Sequence, residues 1–219
     1  MQISMRQVRQ LWNSLMVITE MYLYGASGHG KVIKDILESQ GKAVSGFIDD
    51  NVGINEHSGL TVKHSLEGVD EVIVSIGINQ TRKKIAEQLN CKVADATIHA
   101  KAVVSPSVKI GVGSVVMAGA TINADTYIGK HCIVNTGASI DHECQINDYT
   151  HVSPHATLCG NVTVGEGTWI GAGSTVIPGI KIGRWCQIGA GSVVLNDIPD
   201  GCLAYGNPCR IIRKIHEEE

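Results

Sequence analysis

Residues 135–161, NTGASIDHECQINDYTHVSPHATLCGN, place three histidines, two cysteines and several acids among regularly spaced aliphatic residues. His142 lies between Asp141 and Glu143, and a neighbouring carboxylate can orient an imidazole and stabilise its protonated form. A histidine in this setting is suited to act as a general base. The same stretch could also be a metal site, or the solvated outside of a regular structure.

The metal interpretation depends on His151 and His155, whose HxxxH spacing on a helix would direct both imidazoles to one side as zinc ligands. Here the local hydrophobic pattern repeats every six residues. A period of six indicates extended backbone, on which this spacing does not bring the two rings together. We therefore expect no metal, and His142 is either a general base or an exposed corner histidine.

The six-residue period predicts the structure that positions these side chains. Aliphatic residues recur at every sixth position from Ile98 to Val194 without exception, and the residue two positions earlier is usually small. This period fits neither an α-helix nor stacked hairpins, but it fits a parallel β-helix with three flat sides. Cys132, Cys144 and Cys186 fall at the small interior position, where a thiol packs as a small hydrophobic group.

In such a prism one coil takes eighteen residues, and positions eighteen apart stack at a strand spacing of about 4.8 Å. Gly160 then lies one coil beyond His142 on the same corner, while His151 lies well round the prism. The two histidines cannot meet within one chain. They could meet between copies packed around a threefold axis, so we expect a homotrimer with active sites between subunits.

Residues 21–96 show a different pattern, in which strands and helices alternate. MYLYG, AVSGFIDD and VDEVIVSIG have the pattern of strands, and GASGHGKVIKDILESQGK and NQTRKKIAEQLN have that of helices. This order predicts a small parallel α/β sheet, like half of a Rossmann fold, that binds ligands at the carboxyl ends of its strands. We expect the β-helix to span residues 97–197, with an N-terminal extension (1–20) and a C-terminal tail (198–219).

A glycine-rich loop joins the first predicted strand to the first predicted helix. Gly25, Gly28 and Gly30 leave bare backbone N–H groups at a helix N-terminus, which favours phosphate binding. Their order is GxxGxG rather than GxGxxG, and the domain is short, so NAD is not expected.

Charge and cysteine content limit the possible partners and compartments. Eighteen basic and twenty-one acidic residues give a net charge of −3 with no basic block, which argues against nucleic-acid binding. Seven cysteines without an evident export signal suggest free thiols in the cytoplasm. The apolar run in residues 1–20 is too short for a membrane span and lacks a cleavage site. An extra helix, or a start codon assigned upstream of Met21, is the preferred interpretation.

Six segments in order resemble one family: YGASGHGKVIKD, FIDD, SIGINQTRKKI, NTGASIDHEC, HVSPHATLCGNV and DIPDGCLAYGNPCRII. They resemble the acetyltransferases of bacterial nucleotide-amino-sugar pathways, such as the bacillosamine-pathway N-acetyltransferases, with the NeuD-type sialic acid O-acetyltransferases as close relatives. The resemblance covers nearly everything after residue 20. It implies an α/β acceptor-binding domain followed by a left-handed parallel β-helix, with acetyl-CoA as co-substrate and a UDP-linked 4-amino sugar as acceptor.

The resemblance also implies roles for individual residues. It places the general base at His142, with Glu143 as its acidic partner, and the histidine that contacts acetyl-CoA from the neighbouring subunit at His151. It places Gly160, Ala172 and Ala190 along the pantetheine channel. It places Pro208 and Arg210 in the tail that closes over the nucleotide end of the cofactor. The acceptor-binding positions are Gly28, His29, Gly30, Asp49 and Asp50, and from their place at the start of the next helix Asn79 and Arg82 could meet the acceptor phosphates. From the residues alone, Asp49 and Asp50 could equally form a turn, and Arg82 could be a solvated helix charge.

The expected reaction is direct transfer, in which the acceptor amine attacks the thioester while His142 removes its proton. A backbone N–H near Gly160 is the expected stabiliser of the tetrahedral oxyanion. No serine or cysteine lies in a motif for an acyl-enzyme, which favours a ternary complex. Three alternatives stay open: a sugar O-acetyltransferase, a non-catalytic β-helix trimer, and a zinc β-helix enzyme of the carbonic anhydrase type.

Overall fold

The computed structural model describes residues 20–215, so the expectation for the N-terminal extension lies outside the described residues except at Glu20. The described chain contains two helices, α1 (Gly28–Ser39) and α2 (Asn79–Gln88). The strands of the N-terminal region are β1 (Met21–Tyr24), β2 (Gly46–Ile48), β3 (Glu56–His57), β4 (Leu60–Lys63), β5 (Glu71–Val74) and β6 (Lys92–Val93).

The short strands that follow come in three series, and each series forms one face of a prism. Face 1 contains β7 (Thr97–Ile98), β10 (Val115–Val116), β13 (Ile133–Val134), β16 (His151–Val152), β19 (Trp169–Ile170), β22 (Gln187–Ile188), β24 (Cys202–Tyr205) and β25 (Arg210–Lys214). Face 2 contains β8 (Val103–Val104), β11 (Thr121–Ile122), β14 (Ser139–Ile140), β17 (Thr157–Leu158), β20 (Thr175–Val176) and β23 (Val193–Val194). Face 3 contains β9 (Lys109–Ile110), β12 (Tyr127–Ile128), β15 (Gln145–Ile146), β18 (Thr163–Val164) and β21 (Lys181–Ile182).

The N-terminal region is the expected α/β sheet, with strand order β3-β4-β2-β1-β5-β6. Its strands are parallel except for the antiparallel pair β3–β4. Helix α1 buries Ile33, Ile36 and Leu37, the apolar residues at helical spacing, in the same core as Phe47 of β2. The three predicted strands and both predicted helices are confirmed. The β3–β4 hairpin and β6 were not predicted.

The β-helix follows the predicted register. Within each face, residues eighteen apart pair in parallel, for example Ile122 with Ile140 and Ile140 with Leu158. The aliphatic residue of each hexapeptide is buried from the second coil onward, and Cys132, Cys144 and Cys186 occupy the interior as expected. The parallel β-helix is thus confirmed, and its left-handed sense stays a prediction of the resemblance.

The two regions share one packed interface on face 1. Val115, Met117 and Ile133 of the β-helix belong to the same buried cluster as the core of the N-terminal sheet. Helix α1 lies against β7, where the side-chain amide of Gln40 donates to the carbonyl oxygen of Ile98. This packing holds the carboxyl ends of β1 and β5 beside the middle of face 1. No helix within residues 20–215 has the length and apolar character needed to cross a membrane.

Candidate active site

His142 and Glu143 form a hydrogen-bonded pair on the edge between faces 2 and 3, which we call edge 2–3. Nδ1 of His142 lies 3.0 Å from Oε2 of Glu143, and both side chains are more than half exposed. An ionised carboxylate only accepts hydrogen bonds, so Nδ1 carries the proton and Nε2 keeps a free lone pair. The pair therefore presents a free proton acceptor to the solvent.

Local backbone geometry aims these two side chains outward. Glu143 adopts a left-handed conformation with φ of 59°, and its N–H donates to the carbonyl oxygen of Ala124 in the preceding coil. The imidazole of His142 lies over Gly160 in the next coil, where an added Cβ would come within 2.6 Å of Cε1 and Nε2. Gly160 is buried at this point. A side chain at position 160 would therefore displace the ring.

His151 occupies a different environment, on face 1 beneath the N-terminal region. It is only 6% exposed, and its ring stacks on Trp169 with a centroid distance of 5.2 Å. The Asn135 side chain accepts the N–H of Thr136 through Oδ1, so its Nδ2 donates to Nε2 of His151 at 3.0 Å. His151 must then carry its own proton on Nδ1.

Nδ1 of His151 and Nε2 of His29 are buried nitrogens that make no hydrogen bond of normal geometry among the described residues, although the Gly77 backbone lies near the His151 ring. Burial lowers the pKa of His151 to about 3, and the charges of Arg82 and His29 act in the same direction, while the Gly77 backbone opposes them. Burial, aided by Arg82, also lowers the pKa of His29 to about 4. Two neutral imidazoles therefore offer unpaired nitrogens between the glycine loop and face 1.

The glycine loop lies at the N-terminus of α1, as predicted. A Cβ on Gly30 would come within 2.6 Å of the Gly25 carbonyl oxygen, so this glycine is needed for close packing of the helix on the sheet. A Cβ on Gly28 would meet nothing within 4 Å. Gly28 therefore faces open space and Gly30 does not, although both were predicted to bind the acceptor.

Asp49 and Asp50 follow β2 and make different hydrogen bonds. Asp49 accepts the N–H of Ala26 through Oδ2 at 2.8 Å and the N–H of Asn51 through Oδ1 at 2.9 Å, so it ties the glycine loop to a turn. Asp50 is exposed and accepts the hydroxyl of Tyr24 at 2.6 Å. Burial, together with Asp50, raises the pKa of Tyr24 to about 12. The turn interpretation thus applies to Asp49, while Asp50 keeps an accessible carboxylate.

Arg82 is not the solvated helix charge that the sequence allowed. Its side chain is 1% exposed and its five N–H groups donate within the protein. The acceptors are the carbonyl oxygens of His131, Ile76, Gly77 and Tyr149 and the side chain of Asn79. Burial lowers the pKa of Arg82 to about 10. Arg82 therefore has no donor left for a phosphate, and it joins α2 to the β-helix.

Asn79, the other residue of α2 expected at the acceptor, is also buried. It is 5% exposed, its Nδ2 donates to the carbonyl oxygen of Gly167 at 3.0 Å, and its Oδ1 accepts from Arg82. Asn79 is therefore the second link between α2 and face 1.

The residues expected to bind the cofactor fall on two separate edges. Ala172 and Ala190 are exposed on the edge between faces 1 and 2, which we call edge 1–2. The turn that carries Pro208 and Arg210 closes over the same edge, because the N–H of Cys209 donates to the carbonyl oxygen of Val193. Gly160 lies on edge 2–3 instead. One ligand could touch all of these residues only if edge 2–3 of one chain faced edge 1–2 of another.

Two residues of this region were not singled out from the sequence. Trp169 lies eighteen residues after His151, so the coil length alone could have predicted that their rings stack. Asn135 belongs to the quoted NTGASIDHEC motif but had no assigned role. Beyond Trp169 a groove of about 830 Å³ runs between α2 and the C-terminal hairpin, which is formed by β24 and β25.

The described part of the chain contains no group of three or more His, Cys, Asp or Glu side chains that could hold a metal ion. His151 and His155, the pair with zinc-like spacing, have separate surroundings. His151 is buried against Trp169, while the ring of His155 lies over Gly137 on edge 1–2.

Two family models match the chain: the PglD N-terminal domain over residues 20–89 and the bacterial transferase hexapeptide (six repeats) over residues 161–196. Among curated proteins, the UDP-N-acetylbacillosamine N-acetyltransferase of Bacillus subtilis (strain 168) is 42% identical over 108 residues. This match covers 44% of the chain and 50% of the relative, so the chain spans half the length of that protein in the match.

Solved structures match over a greater length. A mutant of perosamine N-acetyltransferase from Caulobacter crescentus, in complex with CoA and GDP-perosamine, is 36% identical with a TM-score of 0.84, covering 89% of this chain and 97% of that one. The acetyltransferase domain of PglB from Neisseria gonorrhoeae, in complex with acetyl coenzyme A, is 34% identical with a TM-score of 0.81, covering 89% and 99%. The similarity therefore includes both the N-terminal region and the β-helix.

Proposed function

Because the chain belongs to the family of hexapeptide-repeat N-acetyltransferases of nucleotide-linked amino sugars, we propose that it transfers the acetyl group of acetyl-CoA to such a sugar. The acceptor is a nucleotide-linked 4-amino sugar, with UDP as the expected nucleotide. The products are the sugar acetamide and free CoA.

The observation that carries this proposal is the pairing of His142 with Glu143 on an exposed edge. Nε2 of His142 accepts the proton of the attacking amine while the amine nitrogen bonds to the thioester carbon. The C–S bond then breaks, and the CoA thiolate takes the proton from His142 and leaves as free CoA. Glu143 holds the ring through Nδ1 and offsets the positive charge that the ring gains. General-base assistance of this kind is worth about 10²–10⁴ in rate.

His151 and His29 supply the opposite side of the proposed site. The unpaired Nδ1–H of His151 is a neutral donor in a water-poor environment, which suits it to a carbonyl oxygen such as that of the thioester. His29 places its unpaired Nε2 at the start of α1, next to the glycine loop that we assign to the acceptor diphosphate. The oxyanion donor expected near Gly160 stays a prediction.

The arrangement of charges on the prism supports a trimer built through face 2. The outward positions of this face are all uncharged and mostly small: Val103, Thr121, Ser139, Thr157, Thr175 and Val193. Face 3 instead presents Lys109, Tyr127, Gln145, Thr163 and Lys181. Interface cores are poor in charged residues, so face 2 is the better candidate for the threefold axis.

A trimer of this kind would complete the site. If three copies place face 2 toward one axis, edge 2–3 of each copy lies beside edge 1–2 of the next. His142 of one subunit then faces the small residues Ala172 and Ala190 and the turn with Pro208 and Arg210 of another. Small side chains along an edge leave room for an extended chain such as pantetheine. We assign acetyl-CoA to this seam, with His151 of the second subunit at its thioester end.

The nucleotide of the acceptor is assigned to the carboxyl ends of β1 and β2. The backbone at Gly28 is open, and the carboxylate of Asp50 is exposed and can accept a base N–H. Asp49 contributes indirectly, since it holds the loop through the N–H of Ala26. These contacts suit uracil, thymine or guanine, because each presents a ring N–H donor.

The proposal is tested by incubating the protein with acetyl-CoA and a panel of UDP-, GDP- and dTDP-linked 4-amino sugars, with free thiol release as the readout. We expect release with a UDP-linked amine and acetamide in the product. Release only with sugars that lack the amine would favour the O-acetyltransferase alternative. The absence of both release and acetyl-CoA binding would favour the non-catalytic trimer.

A further inference from the structure

The corner that carries His142 is held from the preceding coil at two points. Inside the prism, the hydroxyl of Thr126 donates to the carbonyl oxygen of Asp141 at 2.7 Å and accepts the N–H of Cys144 at 3.1 Å. Outside, the side-chain amide of Asn123 donates to Oδ1 of Asp141 at 2.8 Å, and the same oxygen accepts the N–H of His142 at 2.8 Å.

The inner contact is a general property of this fold. Ser114 makes the same pair of bonds to the carbonyl oxygen of Gly129 and the N–H of Cys132, and Thr168 makes them to Gly183 and Cys186. A buried hydroxyl therefore closes corners that have no proposed role in catalysis. The contact made by Thr126 needs no explanation beyond folding.

The outer contact differs, because Asp141 also accepts the backbone N–H of His142, the proposed base. Other corner N–H groups that bond to an aspartate use one from the following coil, as Lys130 does with Asp148 and Arg184 does with Asp200. At His142 the acceptor is the preceding residue, and its carboxylate is fixed by Asn123 eighteen positions earlier. Asn123 and the N–H of His142 lower the pKa of Asp141, so this carboxylate stays ionised.

We propose that Asp141 is a positioning residue for the general base, held in place by Asn123. The bond from the His142 N–H to Asp141 fixes the backbone from which the imidazole projects, while Glu143 fixes the ring itself. Two independent constraints then set the direction of Nε2 toward the neighbouring subunit. This proposal rests on the proposed function, since it concerns the same histidine.

The test compares the steady-state kinetics of Asp141→Ala, Asp141→Asn and Asn123→Ala with acetyl-CoA and the preferred nucleotide sugar. Asparagine keeps an oxygen that can accept both hydrogen bonds, whereas alanine loses them. We expect Asp141→Ala to lower kcat about 10- to 100-fold with KM nearly unchanged, because small errors in the position of a catalytic group are costly. Asp141→Asn should recover most of the rate, and Asn123→Ala should lower kcat about fivefold.

Asp148→Ala is the matched control, since Asp148 accepts the corner N–H of Lys130 but lies on the edge between faces 3 and 1, away from the proposed site. It should leave kcat unchanged. Thermal unfolding of every variant checks that the β-helix is intact. Wild-type kcat in a folded Asp141→Ala protein would overturn the proposal, as would Asp141→Asn activity no better than that of Asp141→Ala. Inactive wild-type protein would instead contradict the proposed function itself.

Discussion

The imidazole of His142 lies against the backbone of Gly160, one coil further along the same edge. This contact depends on both the coil length and the residue type at position 160. The eighteen-residue coil brings the two residues together, and the missing side chain at position 160 leaves the space that the ring occupies. The proposed base is therefore positioned by the repeat itself as well as by its own neighbours.

Gly160→Ala should displace the ring, since the new Cβ would lie 2.6 Å from Cε1 and Nε2. We expect kcat to fall about 100-fold while nucleotide-sugar binding, measured by calorimetry, is retained. Gly53→Ala is the control, because its Cβ would meet only the Asn51 side chain, at 3.2 Å. Unchanged turnover in Gly160→Ala would show that the observed position of His142 does not matter for the reaction.

Glu143→Asn should remove the carboxylate while keeping the corner. The backbone at Glu143 is left-handed, and asparagine tolerates this conformation, as Asn161 shows one coil later with φ of 57°. The shorter side chain cannot replace the bond to Nδ1. We expect kcat to fall about 10- to 100-fold in the acetyl-transfer assay. A variant with wild-type kcat would remove Glu143 from the mechanism.

Arg82→Met should destabilise the protein, because it leaves four carbonyl oxygens and the Asn79 side chain without their donors. We expect the free energy of unfolding in urea to fall by about 3 kcal/mol. Lys84→Met, two residues later on the exposed side of α2, should change it by less than about 0.5 kcal/mol. Normal stability with a raised KM for the nucleotide sugar would restore the phosphate-binding role.

Stability should fall between pH 7 and pH 5, because the pKa values of His29 and His151 are lowered to about 4 and about 3. Below pH 6.5 the unfolded chain takes up protons that the folded protein still rejects. The free energy of unfolding should fall by an amount on the order of 1–2 kcal/mol per histidine at pH 5. It stops falling at the pH where the two histidines are also protonated in the folded protein. His151→Gln should reduce this pH dependence in thermal unfolding, and substitution of the exposed His142 serves as the control. If the unfolding temperature fell equally with pH in wild type and His151→Gln, the result would contradict the burial of this ring.

The β-helix was predictable because every coil repeats one packing requirement. The position of His142 on an edge, its distance from His151 and the place of Gly160 all follow from the coil length. The stack of Trp169 on His151 follows from the same length and could have been predicted with it.

Arg82 was not predictable in this way. It begins a run of three cations with Lys83 and Lys84 on α2, and only Arg82 is buried. Which cation is buried depends on how α2 docks against face 1, and that contact is formed by residues far apart in sequence. The β3–β4 hairpin was not predictable from the hydrophobic pattern, because its strands are short and largely exposed.

The central claim is that one subunit supplies His142 and its neighbour supplies His151. It is tested most directly by co-expressing His142→Ala and His151→Gln chains with different tags, isolating the mixed oligomers, and measuring CoA release with the nucleotide sugar. Each variant alone should be nearly inactive. Each isolated mixed trimer has one site in three that combines both intact histidines, so activity should return to roughly a third of the wild-type value. Mixed oligomers no more active than either parent would contradict an active site shared between subunits.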